Sequence, residues 1–336
     1  MPARPDQPCV LAVDGNSLGH RGFHSARQEA ELQGWTTPFV TGAVVGMLAS
    51  AWVEGPYDAV VVGFDHTTNQ RKLDWPEYKA NRPATHPDLP GHLQALRGHL
   101  ADCGFTVVEI EGAEADDLLA ATVTACVARD WSCDVLSSDR DLTTLVGPTT
   151  RLLRPRATFA DLKVYDEDAV RAEYGVAPWQ YTDLAALRGD PSDGLLGATG
   201  IGPKMAARLL RDYGSIAGMY AELHNLAPKV EAALRGSRAR VERNLELMRP
   251  IPDLPVDVEA AVAAGVDHTR VEATLDGLGI YAPARRFVRA VTAPTPPPMP
   301  PMPTEPDELI SVGVGAGVGP TAVIVSPASG EQASLF

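Results

Sequence analysis

An α/β core built on a parallel sheet, followed by a helical segment, is the fold that the sequence predicts, and three observations predict it. Short apolar runs alternate with helical patterns through the first half of the 336 residues. Those runs are almost continuously apolar, as strands covered on both faces are, instead of alternating with polar residues as half-exposed strands do. From about Asp166 to Val291 the rhythm changes to helix after helix, with no strong strand run.

The elements follow in chain order. Residues 9–15 (CVLAVDG) read as a strand running into a turn, and 39–53 as a helix. Residues 58–65 (DAVVVGFD) are a buried strand, and 91–104 a helix closed by glycine. Residues 105–110 (FTVVEI) and 133–139 (CDVLSSD) are strands on either side of a helix over 115–130. Beyond Arg289 the composition shifts: residues 293–308 are half proline and no Lys or Arg follows, which predicts a disordered, mildly acidic tail over 292–336.

At 45% hydrophobic the chain can bury a substantial core. Its formal net charge of −14 is the wrong sign for a generic nucleic-acid binder. The four cysteines form no C-x-x-C pair and no His cluster accompanies them, which fits reduced buried thiols in a cytoplasmic protein. The first residues carry no apolar stretch of the kind that directs secretion. Leu309 to Ser329 is free of charge, but Gly313, Gly315, Gly317, Gly319 and Pro320 make a poor lipid-facing helix, so no membrane span is expected.

The chemistry lies where strands end. Asp14 ends the first strand and Asp65 the second; Glu114, Asp116 and Asp117 follow the third; Asp139 and Asp141 follow the fourth. The crevice outside the carboxyl ends of the strands is the usual ligand site of an open α/β sheet. Any one such Asp is explained as well by a helix N-cap. Seven carboxylates on one edge are not, because like charges that close raise each other's pKa and cost stability. Divalent metal is the natural remedy, and an all-oxygen ligand set favours Mg²⁺ or Mn²⁺ over zinc. Two such ions suit in-line phosphoryl transfer.

A second cluster lies in LRGDPSDGLLGATGIGPKMAARLL (187–210). Asp190 and Asp193 occupy its loop, and glycine turns then open a helix bearing Lys204, Arg208 and Arg211. Such a turn suits a phosphate, through backbone amides at the helix start, or a plain connection between two helices.

With these residues placed, the chain resembles the 5′ nucleases: the 5′→3′ exonuclease part of bacterial DNA polymerase I, phage 5′ exonucleases and flap endonucleases. The resemblance rests on VDGNSLGHRGFHS, VVGFD, RKLDWPEYKANRP, GAEADDLLA, SSDRDLTTL, GDPSDGLLGATGIGPKMAARLL and YGS, in family order over roughly residues 9–290. It implies a PIN-like parallel-sheet catalytic domain over 1–185, with an arch or clamp segment over 66–90. It further implies a helical DNA-binding subdomain of helix–three-turn–helix type over 186–291, and a tail over 292–336. It assigns Asp14, Asp65, Glu114, Asp116 and Asp117 to a first metal ion and Asp139, Asp141, Asp190 and Asp193 to a second, some through water. Lys79 and Arg82, with Asp116, are the implied catalytic residues; Lys79 would face the scissile phosphate and offset its charge. Tyr78, Arg71 and Lys72 from the same segment would contact the strand, as would Arg21 and His24, with Phe23 between them, near the site. Gly200, Gly202, Lys204 and Arg208 would grip duplex, with a potassium ion in the Gly200–Lys204 turn.

The resemblance answers the charge objection, since the acids gather at the metals and in the tail while basic groups are local, at 71–82, 204–211 and 235–243. The last of these reads equally as a solvated helix face. Three positions depart from the family: Gly194 and Leu196 stand where Asn and Pro are usual, which loosens the loop around Asp193, and Met205 replaces a common threonine. Gln332, Ser334, Leu335 and Phe336 end the chain in a short peptide similar to those that dock on the bacterial sliding clamp. The expected activity is 5′-3′ exonuclease and flap endonuclease action on DNA with 5′ flaps, nicks or RNA primers, by a monomer, in replication or repair. A catalytically weak DNA-junction binder of the same fold is the alternative from another class, and the nine intact acids argue against it. An RNase of the related PIN-type fold is a further alternative, disfavoured by the glycine-turn module and the YKANR segment.

Overall fold

The computed structural model describes residues 7–34, 38–156 and 161–293. Six strands form the main sheet: β1 (Cys9–Asp14), β2 (Ala59–Gly63), β3 (Thr106–Val108), β4 (Ser132–Leu136), β5 (Thr150–Pro155) and β6 (Leu162–Tyr165). Their order is β3-β2-β1-β4-β5-β6, parallel except for the antiparallel edge strand β6. The order reverses between β1 and β4, so the crevice of this sheet opens where Asp14 and the residues after Leu136 emerge. β1, β2 and β4 are buried almost throughout, which accounts for their continuous apolar sequences.

Helices α1 (Gly15–Gln33), α2 (Phe39–Ala51), α3 (Gln70–Asp74), α4 (Leu89–Asp102) and α5 (Ala115–Val127) lie between the first strands. After β6 come α6 (Glu167–Tyr174), α7 (Tyr181–Arg188), α8 (Pro203–Tyr213), α9 (Ile216–Ala221) and α10 (Pro228–Met248). The last three are α11 (Val258–Ala264), α12 (His268–Gly277) and α13 (Tyr281–Thr292). Leu11, Val13 and Val62 on one face of the sheet share a core with α2, α4, α12 and α13. Val10, Ala12 and Val61 on the other face pack with α5 and α11. A separate apolar core joins α7 to α10.

Three features differ from the sequence reading. Residues 15–33 form a long helix, capped by Asp14, where the sequence reading has only a turn at Gly15. β5 and β6 were not expected, and two-residue strands β7 (Gly189–Asp190) and β8 (Leu195–Leu196) pair inside the helical half. The helical half also does not stand apart: Phe287 of α13 packs edge-on against Trp52 and Phe105, with ring centroids 5.1 and 5.9 Å away. No helix among the described residues is long and apolar enough to cross a membrane. The tail beyond 293, with the terminal peptide expected to dock on a sliding clamp, lies outside the described residues.

Candidate active site

Four strand ends and the loop after α7 bring the acids together. Asp14 closes β1: its Oδ1 accepts the Ser17 amide at 2.8 Å and its Oδ2 the Ser137 hydroxyl at 2.7 Å. Asp65, just past β2, accepts the Ala115 amide at 2.7 Å and the Asn16 side-chain amide at 3.2 Å. Glu114 stands at the cap position of α5, and Asp117, three residues on, accepts the Glu114 amide at 3.0 Å, one half of a capping box. Past β4, Asp139 Oδ1 accepts the Asp141 amide at 2.8 Å. Asp190 caps the short turn that carries Asp193, accepting the amide and hydroxyl of Ser192.

Cations divide this set in two. Arg71 forks onto Asp117 at 2.6 and 2.7 Å and reaches Glu114 at 3.2 Å. The Lys79 ammonium lies 2.5 Å from Glu114 Oε1, Arg82 binds Asp193 Oδ1 at 2.6 and 3.0 Å, and Arg140 binds Asp190 at 2.8 Å. Asp14, Asp65, Asp116 and Asp139 have no salt bridge among the described residues, and Asp141 has a distant one, 3.8 Å from Arg140. Burial, with Asp65 and Asp139 nearby, pushes Asp14 up to about 7. Burial, Asp139 and Asp190 push Asp141 up to about 7 as well. Burial, then Asp139 and Asp14, hold Asp116 well above the usual carboxylate range. Burial raises Asp65 too, and it raises Asp193 in spite of Lys79 and Arg82. Glu114 moves the other way: burial opposes its charge, but Lys79 and Arg71 prevail. At Asp190 burial is likewise overcome by Ser192 and Arg140.

These residues fit oxygen-preferring divalent cations. The donors are carboxylates, the buried Asp14 and the half-buried Asp65, Asp116 and Asp139 have no counter-charge among the described residues, and the buried Oδ1 of Asp141 has no hydrogen-bond partner. No three of them, among the described residues, already converge as a finished ion site, and lysine and arginine occupy Glu114, Asp117, Asp190 and Asp193.

Other expected residues fall in several places. Asp117 is fully buried, and both its oxygens are taken by Arg71, the Glu114 amide and the Ile251 amide, so in this arrangement it is an anchor with no lone pair left for an ion. Arg71, expected on the strand, is committed to that anchor and to the Arg249 carbonyl at 2.9 Å. Tyr78 is buried between Leu195 and Leu247, not displayed. Phe23 is core, whereas His24 and Lys72 are exposed and Arg21 is half-buried. Lys79 takes a left-handed backbone, φ 61°, while its amide donates to the Asp193 carbonyl at 3.0 Å. Gly194, the loosening substitution, sits at φ 74° as the cap of its turn, a conformation glycine adopts without strain. Gly200 also has positive φ, Gly202 caps α8, and Lys204 and Arg208 project from α8 into solvent. In 235–243, Arg235 and Arg238 pair with Glu231 and Glu242 one turn away, and Arg240 is tied to Gly197 and Thr199, so this stretch is largely a self-paired helix face. Sequence reasoning missed Arg140 and Arg154, which line the hollow beside Asp139, Asp141 and Asp190. Arg140 could have been noticed between two acids; Arg154 sits in a strand that the pattern did not reveal.

Comparison with known proteins agrees with this layout. The family model for the 5′-3′ exonuclease N-terminal resolvase-like domain matches residues 9–175, and that for the 5′-3′ exonuclease C-terminal SAM fold matches 176–269. The chain belongs to the 5′-3′ exonuclease family. Among relatives of this exonuclease-family chain, DNA polymerase I of Mycobacterium bovis is 36% identical over 253 residues, covering 74% of the chain and 28% of the polymerase. Thermostable DNA polymerase I of Thermus thermophilus is 32% identical over 271 residues, covering 80% and 32%. The chain thus spans about a third or less of these relatives. A solved structure of T5 5′-exonuclease with divalent metal ions (zinc) bound has a TM-score of 0.60 at 23% identity and covers 80% of this chain and 98% of its own. The catalytic core of Rad2 in complex with DNA substrate has a TM-score of 0.51 at 13% identity, covering 85% and 94%. At such identities these two speak for the fold.

Proposed function

We propose that this member of the 5′-3′ exonuclease family is a divalent-metal-dependent, structure-specific nuclease that trims 5′ ends and removes 5′ flaps and RNA primers from DNA. One observation carries the reading: buried and half-buried carboxylates without a close counter-charge line the crevice end of the sheet while cations flank it. Two ions of the Mg²⁺ or Mn²⁺ type, when bound there, supply a nucleophilic water at neutral pH and screen the phosphate. Water then adds to phosphorus and the bond to the 3′ oxygen breaks, leaving a 5′-phosphate and a 3′-hydroxyl. Asp14, Asp65, Glu114, Asp116, Asp139, Asp141, Asp190 and Asp193 are the residues that would hold the ions. Lys79 and Arg82 stand where charge on the phosphate can be offset, and giving up Glu114 and Asp193 would free both.

The exposed Lys204 and Arg208 at the start of α8 suit duplex phosphates, with K⁺ in the preceding turn. The four free, buried cysteines suit a reducing cytoplasm. The test uses a 5′-flap duplex with Mg²⁺ or EDTA, and the variants Asp116→Ala and Asp139→Ala. Cleavage should require the metal and fall by orders of magnitude in both variants; metal-dependent cleavage that survives both refutes the site. For the terminal peptide, deletion of 332–336 should abolish binding to a bacterial sliding clamp and leave flap cleavage intact; retained clamp binding sinks that assignment.

A further inference from the structure

We propose that the hollow between Arg154, Ser17 and Ser138 is a second phosphate subsite, which takes the backbone phosphate neighbouring the one that is cut. The inference rests on the nuclease reading above. The hollow has a volume of about 570 Å³ and opens beside Asp139, Asp141 and Asp190. Two of its arginines are committed, Arg82 to Asp193 and Arg140 to Asp190. Arg154 is not: among the described residues it forms no salt bridge, although four carboxylates, Asp139, Asp141, Asp190 and Asp193, line the same hollow. Its bonds are long, 3.5 and 3.4 Å to the Tyr165 and Tyr174 hydroxyls and 3.3 Å to the Ser138 carbonyl. Its Nε is buried with no partner at all. Buried N–H groups nearly always find one, so a guanidinium left this way is built for something else.

Two hydroxyls, of Ser17 and Ser138, line the same hollow. The Ser138 hydroxyl is also buried without a partner. Ser17 accepts the Ser138 amide at 3.1 Å, which leaves its own O–H to donate. Ser17 lies in the first turn of the 19-residue α1, whose dipole favours an anion there. A planar guanidinium fork with two hydroxyls suits a tetrahedral oxyanion. The aim is fixed from behind, because the Arg154 guanidinium sits 5.6 Å over the ring of Tyr165, which β6 holds opposite Leu152 of β5. Lys79 salt-bridges Glu114 ahead of α5 whereas Arg154 stands on β5, so the two mark separate positions along the acid edge.

The test pairs a substitution with a substrate that lacks one charge. Flap duplexes carry a single uncharged methylphosphonate next to the cleaved linkage, on its 5′ side in one and its 3′ side in the other. With wild type, kcat/KM should fall about tenfold or more at one of these positions, the loss expected for a charge-assisted hydrogen bond. Arg154→Gln should show a similar loss on the all-phosphate flap and no further loss on that modified one. Ser138→Ala should show the same pattern more weakly and guards against a folding defect, as do melting curves of both variants. Equal losses on charged and uncharged substrates, or none on either, overturn the subsite. If wild type itself cuts no flap in Mg²⁺, the nuclease reading falls and the subsite with it.

Discussion

Asp116 and Asp117 are neighbours in sequence with opposite fates. Asp117 spends every side-chain acceptor on Arg71 and two amides, while the Asp116 carboxylate has no hydrogen bond among the described residues and lies near Asp14 and Asp139. Proton linkage follows from the unpaired acids. Asp14 and Asp141 titrate near 7 when folded, against 3.8 for a free aspartate. The folded state therefore holds protons that the unfolded chain has released. The stability this gives is complete below 3.8 and is lost as pH rises through about 7. In EDTA these two groups should lower the melting temperature as pH goes from about 5 to about 8, and Mg²⁺ should shrink that fall because an ion favours the charged carboxylate. A fall that Mg²⁺ leaves unchanged would count against metal at these residues. The acids were legible because four strand ends announce them. Their counter-charges were not: Arg71 and Asp117 are 46 residues apart, and nothing in local sequence says which cation reaches which acid.

The elements were legible where periodicity was strong. β1, β2 and β4 are nearly pure apolar runs, but β5 (TRLLRP) carries two arginines and a proline, and β6 (LKVY) is short and partly exposed. α1 was hidden by three glycines, and Asp14 with its cap on Ser17 starts it nonetheless. The β7–β8 pair depends on a backbone that only glycine tolerates. A Cβ at Gly189, φ 79°, would lie 2.3 Å from the Gly197 amide nitrogen and 2.6 Å from the Leu195 carbonyl. Gly189→Ala should therefore unfold at lower urea, by more than about 1 kcal/mol, and should displace Asp190 so that cleavage falls as well. Unchanged stability would mean that this loop has freedom the packing denies.

In the whole molecule the last three helices, α11 to α13, share their cores with the sheet. α13 was legible as a helix but not as a partner of α2, because long-range packing leaves no mark on local pattern. Phe287 is fully buried against Trp52 and Phe105, so Phe287→Ala should cost about 3–5 kcal/mol. The loss should appear as one cooperative transition of sheet and helices; two separated transitions would show that the halves fold apart. Lys79 ties the halves at the acid edge, with its side chain on Glu114 and its amide on the Asp193 carbonyl. Its left-handed backbone carries a cost of about 1–3 kcal/mol that these two anchors must hold in place. Alanine at this position keeps the unfavourable torsion and drops one of its restraints. A rate measured on Lys79→Ala therefore reports a loosened joint together with a missing ammonium, and Lys79→Gly, in which the torsion costs little, is the control that separates them.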